Sequence, residues 1–169
     1  MGSTLTVDNI VGATTAANVK LPAGAVLNCV QFVYPTYAGV TASSYTSTGI
    51  TMNITPKYTS SKVLVLISAG GCGVSGANNG EAAASLVRTI GGSATTIETF
   101  ERFVFSSAAD GNANHISISA FLSFLDSPNT TSATTYTLHA RTSAGTLRFN
   151  DHQVSGNASS QITLLEIAG

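Results

Sequence analysis

Residues 62–68 read Lys-Val-Leu-Val-Leu-Ile-Ser, and this run decides the fold class. Between Lys62 and Ser68 the residues are apolar at both alternating positions, which is typical of a strand that is covered on both faces. Such a strand lies in the middle of two packed sheets or against a partner chain. The run therefore predicts a central strand and the main part of the core.

The surrounding sequence alternates apolar and polar residues with a period of two, as half-buried strands do. Residues 50–54 and 136–140 are the clearest cases. Gly, Pro, Asn, Asp and Ser separate the runs, and Gly91-Gly92-Ser93 has the composition of a hairpin turn. About eight to ten strands at this spacing indicate an all-β protein, an antiparallel β-sandwich of the jelly-roll kind. The further predicted strands are 25–34, 85–90, 95–101, 102–106, 116–125, 146–149 and 161–168.

One segment competes with this all-β interpretation. Residues 81–88 read Glu-Ala-Ala-Ala-Ser-Leu-Val-Arg, and Ala and Glu favour a helix intrinsically. The Thr-Ile-Gly-Gly that follows has the composition of a hairpin end, and a single helix would interrupt the succession of strands. We therefore predict a strand here.

The first 24 residues differ from the rest of the chain. Their apolar residues are too sparse to bury one another and too numerous for a solvated linker. The segment therefore needs a partner, either another copy of the chain or a larger particle. We predict an extended anchoring and oligomerisation segment at 1–24 and a β-sandwich domain at 25–169. The apolar residues concerned are Leu5, Val7, Ile10, Val11, Val19 and Leu21.

The composition points to assembly. The chain has 169 residues, of which 43% are hydrophobic and only 9% are charged, with a net charge of −1. A globular protein has about 25% charged residues, so this surface must consist largely of small and hydroxylic side chains. The 7 basic residues are scattered singly, which argues against nucleic-acid binding. The longest uncharged stretch, 63–80, is interrupted by glycines, and we predict no membrane insertion.

Three motifs resemble cofactor or metal sites without completing them. Residues 71–76 match the dinucleotide fingerprint, but strands rather than a helix are predicted downstream. Residues 110–115 begin like a calcium loop, yet His115 and Phe121 occupy the positions that require Gly and Glu. Residues 150–152 offer too few ligands for a metal and are predicted to be a solvated turn. We predict no metal or cofactor.

A catalytic site is not evident either. Each histidine lies near some serine by chance in so Ser-rich a chain, and the Gly-x-Ser-x-Gly elbow is missing. Two carboxylates converging in space would suit a glycosidase, and the sequence leaves that open. Because ionisable groups are scarce, we predict no enzyme and no catalytic residue. The groups concerned are His115, His139, His152, Glu98, Glu101, Asp110, Asp126 and Asp151.

The cysteines and a group of tyrosines allow two further predictions. Cys29 and Cys72 lack metal-ligand spacing and are predicted to be small buried hydrophobes, with their pairing left open. Tyr34, Tyr37 and Tyr45 bracket a Gly- and Ser-rich connection. They could stack on a sugar ring, but we favour a role in pinning this connection to the sandwich. The ligand-binding residues stay unassigned.

Four segments carry a resemblance to a known group of proteins. Residues 61–67, 124–136 and 162–168 together resemble a module of tailed-bacteriophage structural proteins. This module is frequent in tail fibres and surface appendages of marine and cyanobacterial phages, and residues 4–10 resemble the leader that precedes it. The resemblance implies a virion β-domain, commonly trimeric, and it carries over no catalytic residue.

The resemblance and the composition together predict a non-enzymatic phage virion protein. We expect a homotrimeric surface fibre or spike, made in the host cytoplasm and held on the particle by residues 1–24. Its outer loops would contact a host glycan or protein. Capsid decoration, in which the protein cements neighbouring shell subunits, is the first alternative. A carbohydrate-binding module that uses the loop with Tyr34, Tyr37 and Tyr45 is the second.

Overall fold

The computed structural model describes residues 21–76, 80–105, 118–151 and 158–169. The predictions for residues 1–20, for the loop at 110–115 and for His152 therefore lie outside the described residues. Ten strands are present within these ranges. They are β1 (Val26–Tyr34), β2 (Ala38–Val40), β3 (Thr46–Ile54), β4 (Lys62–Ser75), β5 (Glu81–Ile90), β6 (Ser93–Phe105), β7 (Ile118–Asp126), β8 (Thr134–Thr142), β9 (Thr146–Phe149) and β10 (Ser160–Ile167).

The strands form two antiparallel sheets. In the first sheet β4 pairs with β7 on one side and with β10 and β9 on the other, and β1 pairs with β10. The register shows that β9 and β10 lie end to end along β4, and that β1 and β2 lie end to end along β10 and β9. The second sheet has the order β3-β8-β5-β6. Two four-strand layers connected in this order are a jelly roll, which confirms the predicted sandwich.

The core lies between the two sheets. Val63, Val65 and Ile67 point inward from β4, as the run at 62–68 predicts. Leu86 and Leu138 meet them from the second sheet, where the alternation along β8 is regular from Thr134 to Thr142. The predicted alternation of apolar and polar residues is confirmed along β8. It arises because one face of the sheet lies in the core.

The run at 62–68 is covered on one face only. Leu64 is half-buried and Leu66 is 37% exposed, since both point away from the second sheet. Burial of both faces is therefore wrong for the single chain. The other reading of the run, contact with a partner chain, is not tested by one chain.

Residues 81–90 form a strand, and the competing helix is wrong. The small side chains of Ala82 and Ala84 are buried, which allows β5 to lie between β6 and β8. The hairpin from β5 to β6 turns at Gly91 and Gly92, whose φ angles are +55° and +84°. Only glycine adopts such angles without strain, so these two residues fix the turn.

Asn150 is fully buried, so the predicted solvated turn is wrong at this residue. Its backbone is left-handed, with φ +55°, a conformation that Asn tolerates better than most residues. Its Nδ2 donates to the carbonyl oxygens of Tyr34 and Thr36 at 2.8 Å each, and its Oδ1 accepts from Ser160 Oγ at 2.8 Å. The Asn150 side chain lies at a junction: β1 ends and β2 begins on one side of it, and β9 ends and β10 begins on the other.

Asp126 ends β7 and is buried between the sheets. Arg88 Nη1 on β5 donates to both of its carboxylate oxygens, at 2.8 and 3.0 Å. The Tyr136 hydroxyl on β8 donates to Asp126 Oδ2 at 2.7 Å. Burial raises the pKa of Tyr136, and the hydrogen bond to Asp126 raises it further. The three side chains join the two sheets at one end of the sandwich.

The two cysteines have opposite environments, and both are free thiols. Cys72 is buried as predicted, and burial raises its pKa to about 12. Cys29 is exposed, which makes its predicted burial wrong. Cys29 lies opposite Leu165, with its side chain on the side of the first sheet that faces away from the core.

The Gly-rich fingerprint at 71–76 belongs to β4 and the bend that follows it. A dinucleotide site needs a helix to begin at this fingerprint, because the helix N-terminus binds the pyrophosphate. Residues 71–75 are instead extended in β4. Across the described ranges, the chain has no helix that is long and apolar enough to cross a membrane.

Candidate interaction site

The side of the first sheet that points away from the core is an apolar exposed surface. We call it the outer face and define it by the even-numbered residues 62–68 and the odd-numbered residues 29–33, 121–125 and 161–167. Residues opposite each other in the register share a face, so Leu66 lies beside Thr163 of β10 and Ser123 of β7. Lys62 is the only charged residue among these positions.

Large apolar side chains stand exposed on this outer face. Phe121 is 77% exposed and Leu125 is 50% exposed, both on β7, and Val33 on β1 is exposed as well. The sequence signals this feature, because Phe121 and Leu125 break the alternation of β7. In the single chain these two residues point into solvent, which makes the outer face a candidate interaction surface.

A shallow cavity of about 260 Å³ adjoins Phe121 on the outer face. Its polar side comes from β10, where Gln161 and Thr163 line the cavity. Gln31 Nε2 donates to Thr163 Oγ1 at 2.9 Å, which holds these polar groups in one row across β1 and β10. The outer face therefore combines apolar protrusions with a short polar row.

A second apolar feature lies at the edge of the sandwich where β1 and β3 approach each other. Phe32 and Tyr34 of β1 and Met52 of β3 line a cleft of about 500 Å³, which we call the edge cleft. Gly49 makes room for it: a Cβ at this position would lie 3.0 Å from the Tyr34 hydroxyl, and its φ is +83°. None of the described residues that line the edge cleft is charged. Sequence reasoning missed it, because Phe32 and Met52 are far apart in the chain.

The three tyrosines singled out from the sequence have separate surroundings. Tyr34 lines the edge cleft, whereas the Tyr37 hydroxyl lies beside Gly39 of β2. The Tyr45 hydroxyl donates to Glu101 at 3.0 Å, and the guanidinium carbon of Arg141 lies 5.3 Å from the centre of the Tyr45 ring. The hydrogen bond to Tyr45 raises the pKa of Arg141.

The candidate acids are also held by different partners. Glu98 accepts from the backbone N–H of Thr99, Glu101 pairs with Arg141, and Asp126 is bound by Arg88 and Tyr136. Asp151 pairs with Arg148 at 3.2 Å. Among the residues that the structure describes, no three His, Cys, Asp or Glu side chains are placed to hold a metal ion. The acids Glu98, Glu101 and Asp126 thus have separate partners, and none of these interactions joins two of the acids.

His139 has a serine as its cross-strand neighbour. Ser85 of β5 lies opposite His139 of β8, on the side of the second sheet that points away from the core. The Ser85 Oγ is buried and has no hydrogen-bond partner among the described residues, so Ser85 and His139 do not form the hydrogen bond of a nucleophile and its base. Burial lowers the pKa of His139.

Comparisons with known proteins give structural resemblances only. No family model matches the chain, and no curated protein matches it. A structure of infectious bursal disease virus, Gx strain, has a TM-score of 0.45 and 13% identity, and the match covers 85% of this chain and 33% of that one. A mutant VP2 protein of the same virus in derived T=1 particles has a TM-score of 0.36 and 12% identity, covering 85% and 41%.

A structure of Eiger TNF from S. frugiperda also resembles the chain, with a TM-score of 0.39 and 11% identity over 78% of this chain and 92% of that one. Of the two virus structures, by contrast, the chain spans less than half the length of each protein. The jelly-roll fold rests on the strand order described above.

Proposed function

We propose that this protein is a non-enzymatic structural subunit of a virion surface, a homotrimer of the fibre or spike type found on tailed phages. The observation that carries the proposal is the outer face of the first sheet. Phe121, Leu125, Leu66 and Val33 stand exposed there beside a single charge, Lys62. Apolar patches of this kind on a soluble protein mark contacts with other proteins.

The distribution of ionisable groups supports a structural role. Two ion pairs among the described residues serve the fold: Arg88 holds Asp126 between the sheets, and Arg141 holds Glu101 on the second sheet. An enzyme needs a cluster of ionisable groups whose pKa values are adjusted in one cleft. The edge cleft is instead lined by apolar and uncharged polar side chains.

The class of virus and the place on the particle are part of the proposal. Residues 61–67, 124–136 and 162–168 support the phage class through their resemblance to tail-fibre modules. Residues 1–24 would anchor the subunit to other virion proteins, and the loops at the opposite end would meet the host surface. In a capsid decoration protein, the outer face would instead cement neighbouring shell subunits.

The place on the particle can be tested by gold labelling. An epitope tag is fused to Met1, and tagged particles are imaged by electron microscopy after gold labelling. We expect gold on tail appendages or spikes. Gold distributed evenly over the shell would establish decoration instead, and particles that contain no tagged protein would overturn the virion assignment. A tag after Gly169 is the matched control for a hidden N-terminus.

A further inference from the structure

The edge cleft opens at the side of the sandwich and is separate from the outer face. Phe32 and Tyr34 alternate along β1 with Val33, whose side chain belongs to the outer face. The two rings therefore stand on the other side of the strand, and they line the cleft together with Met52 of β3. A ligand in the cleft and a protein on the outer face would contact different sides of β1. The cleft can therefore have a role of its own.

Two aromatic rings form one wall of the edge cleft. The ring centres of Phe32 and Tyr34 lie 6.4 Å apart, and the ring planes are inclined by 57°. Phe32 is 43% exposed, whereas Tyr34 is half-buried beside Gly49, where a Cβ would lie 3.0 Å from the Tyr34 hydroxyl. The absence of a side chain at Gly49 leaves room for the Tyr34 ring. An exposed ring offers a flat apolar surface on which the C–H groups of a ligand can pack.

The polar side chains of the lining are free to bind a ligand. The Tyr34 hydroxyl, the Asn53 amide and the Thr135 hydroxyl form no hydrogen bond with other described residues. Hydroxyl and amide groups both donate and accept, so together they match the hydroxyls of a ligand. A purely apolar occupant, such as an acyl chain, would displace their water without replacing its hydrogen bonds. The lining therefore favours a ligand that has hydroxyl groups as well as an apolar face.

The charge and the size of the cleft restrict the ligand further. The described lining residues are all uncharged, so the cleft offers neither the Arg or Lys that an anionic group requires nor a carboxylate for a cation. Its volume of about 500 Å³ lies within the roughly 300–1,000 Å³ of small-molecule sites. A neutral sugar residue combines the required properties: no charge, several hydroxyls and an apolar ring face.

We infer that the edge cleft binds a neutral sugar residue of a host-surface glycan, an inference that rests on the proposed virion function. Phe32 and Tyr34 stack on the C–H face of the sugar ring, and Asn53 and Thr135 exchange hydrogen bonds with its hydroxyls. This site uses Tyr34 alone among the three tyrosines that the sequence singles out, and leaves Tyr37 and Tyr45 outside.

Three variants of the full chain test the site. Phe32→Ala removes a stacking ring, and Asn53→Ala removes an amide at an exposed position of β3. Tyr37→Ala is the matched control, because the Tyr37 ring is 45% exposed, close to the 43% of Phe32, and lies outside the cleft. Circular dichroism and thermal melts establish that each variant is folded, and sedimentation velocity establishes its oligomeric state.

A glycan array identifies the probe. It carries oligosaccharides that end in glucose, galactose, mannose or N-acetylglucosamine, together with sialylated and sulfated counterparts. We expect the wild type to bind at least one neutral oligosaccharide. Ligand-observed NMR with this oligosaccharide then measures the Kd in solution. Phe32→Ala should raise the Kd at least about tenfold and Asn53→Ala about fivefold, whereas Tyr37→Ala should leave it unchanged.

Four outcomes would overturn the sugar site. If no neutral oligosaccharide binds at millimolar concentration, the cleft has another role, while the virion proposal is tested separately by gold labelling. A Kd unchanged in both Phe32→Ala and Asn53→Ala, or raised in Tyr37→Ala, would place the sugar elsewhere. A preference for sialylated or sulfated glycans would contradict the uncharged lining. Dissociation of wild-type oligomers by Phe32→Ala would show that the cleft is a contact between subunits.

Discussion

The hydroxyl of Tyr136 and the carboxylate of Asp126 meet at 2.7 Å between the two sheets. Both side chains are buried, and Arg88 neutralises the carboxylate from β5. The contact makes one end of the sandwich depend on three strands at once. It also gives the protein a titratable element whose effect on stability can be worked out.

Asp126→Asn should lower the free energy of unfolding by about 3 kcal/mol, because Arg88 would keep its charge in a largely buried place without a counter-charge. Urea denaturation at neutral pH measures the loss. Glu101→Gln is the matched control, since its ion pair with Arg141 is exposed and should contribute far less. Equal losses in the two variants would show that the Asp126 network does not support the fold.

Tyr136→Phe should make stability less sensitive to alkaline pH. The folded protein holds the pKa of Tyr136 above its usual value, so above about pH 10 the unfolded chain releases this proton first and stability falls as pH rises. The phenylalanine variant lacks this contribution and should lose less stability between about pH 9 and about pH 11. At neutral pH it should be about 2 kcal/mol less stable, because Asp126 loses a donor.

Urea denaturation at each pH checks the Tyr136 prediction, with Tyr37→Phe as the control because the Tyr37 ring is exposed. The control should follow the wild-type pH dependence. If Tyr136→Phe follows it as well, the coupling between Tyr136 and the fold is absent.

Asn150→Ala should cost about 3 kcal/mol, because it removes three hydrogen bonds in a buried junction and adds left-handed backbone strain. Asn129→Ala is the matched control: Asn129 also has a positive φ, +52°, but its side chain is exposed. It should cost only about 1 kcal/mol of strain. Thermal or urea unfolding compares them, and similar costs would mean that the Asn150 side chain adds nothing beyond its backbone conformation.

A thiol reagent should modify one cysteine in the native protein and two after unfolding. Cys29 is exposed, whereas Cys72 is buried and its pKa is raised to about 12, so it offers little thiolate. Mass spectrometry after a brief reaction in dilute solution counts the modified thiols. Cys29→Ser should abolish native labelling, and rapid labelling of that variant would contradict the burial of Cys72.

The sequence predicts most strands of this fold because each sheet has one face in the core and one face outside. The alternation at 50–54 and 136–140 reports that arrangement directly, and Gly91 and Gly92 mark a turn that only glycine makes easily. The helix propensity of residues 81–88 does not prevent strand formation, because Ala82 and Ala84 provide the small side chains that a strand between two neighbours can bury.

Long-range relationships could not be predicted in the same way. Phe32 and Met52 line the edge cleft because β1 and β3 are edge strands of the two sheets on the same side of the sandwich. Their position as edge strands depends on how all the other strands pair. Asn150 is buried because two pairs of strands lie end to end around it. Asp126 is buried beside Arg88, a basic residue 38 positions earlier in the chain, and no local pattern indicates that the two residues pair.

The pairing of β1 with β10 has a consequence for synthesis. The first strand of the sandwich finds its backbone hydrogen-bond partners in Ser160–Ile167, and β4 needs the same strand on one of its sides. On the ribosome, residues 26–34 therefore cannot form these strand hydrogen bonds until β10 has emerged from the exit tunnel. Chaperone binding to nascent chains should persist up to that point, and a stop codon before Ser160 should give a product that aggregates.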